Sequence, residues 1–308
     1  MPLTERFEAD VVSAYGRHLL ARDAQGQLLR ARPFGRSLEI VCGDRVKLER
    51  DARGEILAVE VLPRTSALLR SNARGVSEPI VANLTLAAVV IAALPRPDLF
   101  MVDRYLSAAA STNLRALIIV NKSDLALQSE DETGLMELAA LGYGVHRVGA
   151  LDGSGLEGLA KALSGHTSVL LGQSGVGKSS LIRRLAVDGA EALTGELMRE
   201  EEGRHTTTAS RLYDCIGGGR IIDSPGVRDY APSVDQLEPA SLGYYEIQKY
   251  AGACKFMDCK HLNEPRCGVR AAVDAGQVSA RRYESYRRMR RLFEQLKGER
   301  APGARGKR

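Results

Sequence analysis

The sequence predicts a multi-domain chain in three parts: an all-β barrel over residues 1–66, an α/β domain over 67–232 and an α-helical unit over 233–308. Three observations predict it. Short runs of strand-forming residues, broken by Gly and Asp turns, fill the first part. Buried-strand and helical patterns then alternate, with a glycine-rich segment between one strand and the next helix. The last part has helical stretches around three cysteines and a histidine. Length alone suggests about two domains, and the patterns divide the chain further.

In the first part, strand-like runs fall at 10–15, 18–22, 44–50 and 56–62. About five such strands in so short a stretch suit a small closed barrel, the OB-fold above all. Arg30-Ala31-Arg32-Pro33-Phe34-Gly35-Arg36 lies between them. It reads as an exposed loop, and its arginines around one aromatic also suit an RNA backbone and a stacked base.

In the second part, 85–94 is an apolar strand, and Leu99, Val102, Leu106 and Ala109 follow helical spacing. Residues 115–120 form a buried strand running straight into Asn121-Lys122-Ser123-Asp124. A helix near 130–141, a strand at 145–148 and a helix at 156–163 follow. Residues 168–171 feed the glycine-rich segment, a helix opens over 179–185, and 220–222 is a further strand. This alternation implies a parallel sheet with helices on both faces, whose ligand binds at the carboxyl ends of the strands.

Gly172-Gln173-Ser174-Gly175-Val176-Gly177-Lys178-Ser179 matches the full phosphate-loop pattern, with a strand before it and a helix after. Its glycines let the backbone approach closely, and the N–H groups of the loop and of the first helical turn, Ser180 included, face phosphate oxygens. Lys178 reaches the β- and γ-phosphates, and the Ser179 hydroxyl ligates Mg²⁺. Asn121-Lys122-Ser123-Asp124 has the form of a guanine reader. The Asp124 carboxylate accepts from the N1–H and N2–H₂ edge of guanine; adenine lacks that donor pair and would leave it unpaired. Asn121 braces the site and the Lys122 stem covers the base. In an ordinary small GTPase the phosphate loop precedes the guanine reader. Here it follows, so the order points to a circularly permuted P-loop GTPase domain.

Asp223-Ser224-Pro225-Gly226 follows the strand at 220–222. Asp223 fits the carboxylate that holds Mg²⁺ through water, and the Gly226 N–H is placed to sense the γ-phosphate. Val227 stands where a Ras-like enzyme has its water-orienting Gln, so a catalytic group must come from elsewhere. Gly203-Arg204-His205-Thr206-Thr207-Thr208 lies where the first switch belongs. Thr207 or Thr208 completes the Mg²⁺ shell, and the sequence does not decide between them. His205 is the candidate to orient or activate water; the plainer reading is an exposed loop histidine.

Cys254, Cys259, His261 and Cys267 fall within one short segment. Three thiolates and one imidazole suit tetrahedral Zn²⁺ with no open position, hence a structural site. Cys42 and Cys215 sit in apolar contexts and read as reduced core residues.

Hydrophobic and charged contents of 44% and 26% are those of an ordinary globular chain. No apolar run approaches the ~20 residues of a membrane span, and the first ten residues lack the apolar core of a signal peptide. A cytoplasmic protein with no membrane partner is expected, and nothing asks for more than a monomer. Of the net charge of +5, residues 278–308 carry +8 and the rest −3. A basic end favours a phosphate-rich partner, and a solvated helix and tail would look the same. The Gly-, Pro- and Arg-rich end, 298–308, is expected to be disordered.

The order of guanine reader, phosphate loop, Gly-x-His-Thr-Thr and Asp-Ser-Pro-Gly-Val resembles the ribosome small-subunit-dependent GTPase A family over nearly the whole chain. The resemblance implies an N-terminal OB domain, a permuted GTPase domain and a C-terminal zinc domain, with zinc on Cys254, Cys259, His261 and Cys267. It implies a catalytic role for His205, and an apolar residue at Val227 is the family's habit. It also implies a Ser-Ala pair whose backbone contacts guanine, matched here by Gly149 and Ala150, with glycine in place of serine. The implied function is a GTPase that binds the small ribosomal subunit and its rRNA and couples hydrolysis of GTP to GDP to late subunit maturation and its own release. The alternative is an RNA-binding checkpoint module, regulated by nucleotide, with negligible intrinsic hydrolysis.

Overall fold

Alternating burial closes the N-terminal barrel. Strands β1 (Arg6–Tyr15), β2 (His18–Asp23), β3 (Leu28–Pro33), β4 (Arg45–Arg50) and β5 (Ile56–Val61) pair in the order β1-β2-β3-β5-β4, and β4 returns to β1. Val11, Leu19, Ala21, Ala31, Val46, Leu48 and Ala58 fill the interior, the period-two pattern of a small barrel. The computed structural model describes residues 6–15, 18–35, 38–71, 76–187, 210–224, 227 and 236–300. Arg30 and Arg32 belong to a strand rather than to the loop expected from sequence. Leu29 and Ala31 point inward between them, and that alternation outweighs the turn signals of Pro33 and Gly35. Arg32 pairs with Glu55, and Phe34 is exposed.

A hairpin the sequence did not announce, β6 (Ala67–Ser71) and β7 (Ser77–Ala82), leads from the barrel to β8 (Leu86–Ala92). Then come β9 (Arg115–Asn121), β10 (Gly144–Arg147), β11 (Thr167–Leu171), β12 (Ser210–Asp214) and β13 (Arg220–Asp223). They pair in the order β10-β9-β8-β11-β13-β12, every neighbour parallel except β12 with β13. β11, the fourth of these in the chain, is central in the sheet. β8 and β11 are buried throughout, as parallel strands covered on both faces must be.

Helices α1 (Leu99–Ser111) and α2 (Ser129–Ala140) cover one face. Helices α3 (Leu156–Leu163) and α4 (Lys178–Leu185) cover the other. α1 starts where Asp98 accepts from the N–H groups of Phe100 (2.9 Å) and Met101 (3.3 Å), an N-cap that satisfies two otherwise orphaned donors. β12 pairs antiparallel with β1, so barrel and α/β sheet are continuous.

The C-terminal unit holds α5 (Tyr245–Ala251), α6 (Gly268–Asp274) and α7 (Ala280–Arg300) around Leu242, Tyr244, Ile247, Val269, Tyr286 and Phe293. α7 runs on to Arg300, so 298–300 are helical where disorder was expected. The surrounding Glu, Lys, Leu and Arg favour helix enough to offset Gly298; residues 301–308 lie outside the described set. The unit is fastened to α1 through buried charge. Arg282 and Arg281 donate to Asp103, Arg282 also pairs with Glu246, and Ser107 donates to the Leu242 carbonyl. Some of the basic excess of this end is therefore spent inside the molecule: Arg282 and Arg290 are buried.

Candidate nucleotide site and metal centre

The carboxyl ends of the parallel strands gather the predicted residues along one edge. Gly172 follows β11, Asn121 ends β9, Gly149 and Ala150 follow β10, and Asp223 ends β13. Gly172, Gly175 and Gly177 have φ of +145°, +83° and +96°, values an L side chain resists. Space acts too. A Cβ on Gly172 would overlap the Val90 carbonyl, and one on Gly177 would overlap Asn121 Nδ2. Lys178 Nζ donates to the carbonyls of Gly172 (2.6 Å) and Gln173 (2.7 Å), folding the side chain over its own loop. Val176 is buried in the core beneath, while Ser174 and Ser179 are exposed and Gln173 and Ser180 are half-buried.

Asn121 joins the two motifs. Its buried amide donates from Nδ2 to the Val176 carbonyl (2.8 Å) and accepts at Oδ1 from the Ala150 N–H (3.1 Å). Phosphate loop, guanine reader and the segment after β10 are thus locked by one side chain. Lys122, at φ +59°, donates from Nζ to the Leu94 carbonyl (2.7 Å). Asp124 is exposed. Asp223 is half-buried at its strand end, and Ser224 beside it accepts from the Ser210 hydroxyl (2.7 Å). Val227 is 1% exposed and packs into the core shared by α1 and α2. The position that holds a water-orienting side chain in a Ras-like enzyme is therefore turned away from the site. His205, Thr207, Thr208 and Gly226 lie outside the described residues.

Sequence reasoning missed two elements of this edge. Arg184 on α4 donates from Nε to the Ala150 carbonyl (2.9 Å) and from its Nη2 to that of Leu151. Ser154 links its hydroxyl to that of Ser123 (3.0 Å) and to Asp152 (2.9 Å). No motif flags the Arg184–Ala150 or the Ser154–Ser123 contact, because those partners are 34 and 31 positions apart in the chain.

Cys254, Cys259, His261 and Cys267 converge, their ligand atoms all within 4.8 Å of one another. Cys254 Sγ and Cys267 Sγ are 3.8 Å apart, and each lies 3.4 Å from His261 Nδ1. Tetrahedral zinc, at about 2.3 Å to sulfur and 2.0 Å to nitrogen, sets ligands about 3.8 Å apart sulfur to sulfur and about 3.5 Å sulfur to nitrogen. The donor set fits that ion. Burial, and then Arg290, hold the His261 imidazole below its ordinary pKa, which keeps it in the neutral form that ligates. Burial pushes the Cys259 thiol up to about 12, a cost that a bound cation reverses by stabilising thiolate. The cluster is held from outside: Gly268 N–H donates to Cys254 Sγ (3.3 Å), Tyr283 to the His261 carbonyl (2.7 Å) and Tyr286 to that of Lys260 (3.0 Å). Cys42 and Cys215 are buried apart from it, and burial raises both thiols.

Strand order, phosphate loop and the position of the guanine reader before it define the class: a P-loop GTPase domain in circularly permuted order, between a barrel and a Cys/His-bearing helical unit. Comparison with known proteins narrows this. The family model described as RsgA GTPase matches residues 61–232. The small ribosomal subunit biogenesis GTPase RsgA of Azotobacter vinelandii (strain DJ) is 39% identical over 267 residues, 85% of this chain and 77% of that protein. The protein of the same name from Histophilus somni (strain 2336) is 37% identical over 303 residues, 95% and 86% of the two chains. The crystal structure of YjeQ from Thermotoga maritima superposes with a TM-score of 0.72 at 28% identity, covering 96% of this chain and all of that one. YloQ, described as a circularly permuted GTPase, shares the fold with a TM-score of 0.71 at 24% identity, covering 97% of each chain. The chain belongs to the RsgA GTPase family.

Proposed function

We propose that this protein hydrolyses GTP to GDP on the small ribosomal subunit, and that hydrolysis serves late maturation of the subunit and release of the factor. The observation that carries this reading is the Asn121 lock, which joins a complete phosphate loop to the guanine reader, in a chain whose relatives are named small ribosomal subunit biogenesis GTPases. The proposed division is an RNA-binding barrel over 1–66, the permuted GTPase domain over 67–232 and a zinc-binding helical unit with a basic tail over 233–308. The partners are GTP and GDP, the small subunit and its rRNA, taken up by a cytoplasmic monomer. No helix among the described residues is long and apolar enough to cross a membrane.

The N–H groups from Gly172 to Ser180 would bind the phosphates, and Lys178 would leave the carbonyls of Gly172 and Gln173 for phosphate oxygens. Asp124 would read the guanine edge, with Asn121, Lys122, Gly149 and Ala150 shaping the base pocket. Ser179 and Asp223, with Thr207 or Thr208, would hold Mg²⁺, which neutralises charge developing on the phosphates. Gly226 would sense the γ-phosphate. Zinc on the Cys/His cluster would be structural. Because Val227 is buried in the core, water must be oriented by another group, and His205 in the segment between the phosphate motifs is that group. The same burial favours slow turnover without the ribosome, as in the checkpoint-module reading. GTP hydrolysis with and without purified small subunits separates the two. Strong stimulation by small but not large subunits supports the enzyme, with His205→Ala removing the stimulated rate. Intact nucleotide binding without stimulation supports the checkpoint module.

A further inference from the structure

Gly149 does not sit in the left-handed region, so the backbone does not ask for glycine there. The space does. A Cβ at this position would overlap Asp152 Oδ1 and fall 2.6 Å from Ser154 Oγ. Asp152 is turned across the loop, where Oδ1 accepts from the Ser154 N–H (3.0 Å) and hydroxyl (2.9 Å). The Ser154 hydroxyl in turn lies 3.0 Å from that of Ser123, inside the guanine reader. The Ser123 N–H donates to the Val148 carbonyl (3.1 Å), and the Gly149 N–H to that of Ser154 (2.9 Å). From the other side Arg184 holds the successive carbonyls of Ala150 and Leu151. A planar guanidinium presents its donors in a rigid fork, whereas an ammonium is a compact donor on a flexible stem. Arg184 rides on α4, the helix that begins at Lys178, so the base loop is tied to the phosphate loop through a rigid element.

We propose that Asp152 and Arg184 are positioning residues of the guanine pocket: together they replace the side chain absent at Gly149 and set base selectivity. The proposal rests on Asp124 reading guanine. Both residues act through the backbone of 149–151 and through Ser123, not on the base. A loop that drifts loses its contacts to guanine while the phosphate contacts stay.

The test uses the full-length, zinc-loaded protein and measures equilibrium affinity for GDP and for ADP. Asp152→Ala and Arg184→Gln are each expected to weaken GDP about five- to tenfold, the scale of one positioning hydrogen bond. ADP affinity and nucleotide-free melting should stay unchanged, so the GDP-to-ADP ratio falls; a general folding defect would move both. Arg184→Lys should recover only part of the loss. Gly149→Ser alone should also weaken GDP by overlap with Asp152, and Gly149→Ser with Asp152→Ala should return it to within about twofold. An unchanged ratio in Asp152→Ala and Arg184→Gln, or full tolerance of Gly149→Ser beside Asp152, overturns the proposal. Asp124→Asn is the separate control. If it leaves GDP affinity intact, the guanine reading itself fails. If it weakens GDP while the other variants keep their ratio, only the positioning role fails.

Discussion

Asp103→Ala should destabilise the attachment of the C-terminal unit by about 3–5 kcal/mol, the cost of leaving a buried charge uncompensated. Asp103 is 0% exposed and accepts from Arg282 Nη1 at 2.7 Å and Arg281 Nη1 at 2.9 Å. Arg282, 1% exposed, would keep Glu246 at 2.6 and 3.2 Å and its stacking over Tyr244 at 4.4 Å. Burial alone would lower the Arg282 pKa, but Asp103 and Glu246 together hold it above the ordinary value. Without Asp103, the quarter-exposed Arg281 keeps Glu137, but the buried Arg282 keeps Glu246 alone and its Nη1 donor loses its carboxylate. Against a typical domain stability of 5–15 kcal/mol, such a loss is large. Urea unfolding of the zinc-loaded protein, followed by tyrosine emission in a chain with ten Tyr and no Trp, reads the transition. Asp103→Leu combined with Arg282→Met and Glu246→Leu should recover most of the loss, since apolar replacement of all three partners leaves no unpaired charge in the buried cluster. A cost below about 1 kcal/mol for Asp103→Ala, the scale of an exposed pair, would refute the reasoning.

Other perturbations follow from the same geometry. One zinc per chain should be found by elemental analysis, and chelation should unfold the loop from 254 to 267; a loop that keeps its amide protection without metal contradicts the assignment. Gly177→Ala places a methyl on Asn121 Nδ2 at a φ of +96° and should weaken GTP by about tenfold or more; calorimetry would show it. Asp124→Asn should weaken GTP and improve xanthine nucleotide binding, and an unchanged base preference would remove the guanine assignment. Glu238 accepts from Ala240 N–H (2.7 Å), Ser241 N–H (2.6 Å) and Ser241 Oγ (2.7 Å). Burial raises its pKa, but these bonds outweigh it and the net shift is downward. A depressed folded-state pKa stabilises above the unfolded value near 4.5 and is lost as pH falls through the folded one. The stability gap between wild type and Glu238→Gln should therefore be full at pH 6 and vanish at strongly acid pH; a gap that persists there refutes it.

What could be read from the chain is what depends on near neighbours. A strand, a glycine-rich turn and a helix N-terminus are contiguous, so the phosphate loop declares itself from Thr167 to Leu185. The Cys/His cluster is likewise confined to 254–267. The run at 30–33 carries turn residues, which are local signals, whereas its strand depends on Leu29 and Ala31 reaching the barrel interior. The β6–β7 hairpin was invisible for a similar reason: Gln236 ties it down, donating to the Ala67 carbonyl (2.6 Å) and accepting from Leu69 N–H (2.7 Å) across most of the chain.

The sequence by itself determined the chemistry available to this protein: a phosphate-loop motif, a carboxylate proposed to read guanine and a soft-metal donor set, each encoded in a few adjacent residues. Only the tertiary structure decided how these are held. Asn121 meets Val176, Arg184 meets Ala150 and Arg282 meets Asp103 across 55, 34 and 179 positions of sequence. A hydrogen bond acts over some three ångströms and leaves no periodicity in the chain, so such partners become visible only when the sheet has brought its strand ends together.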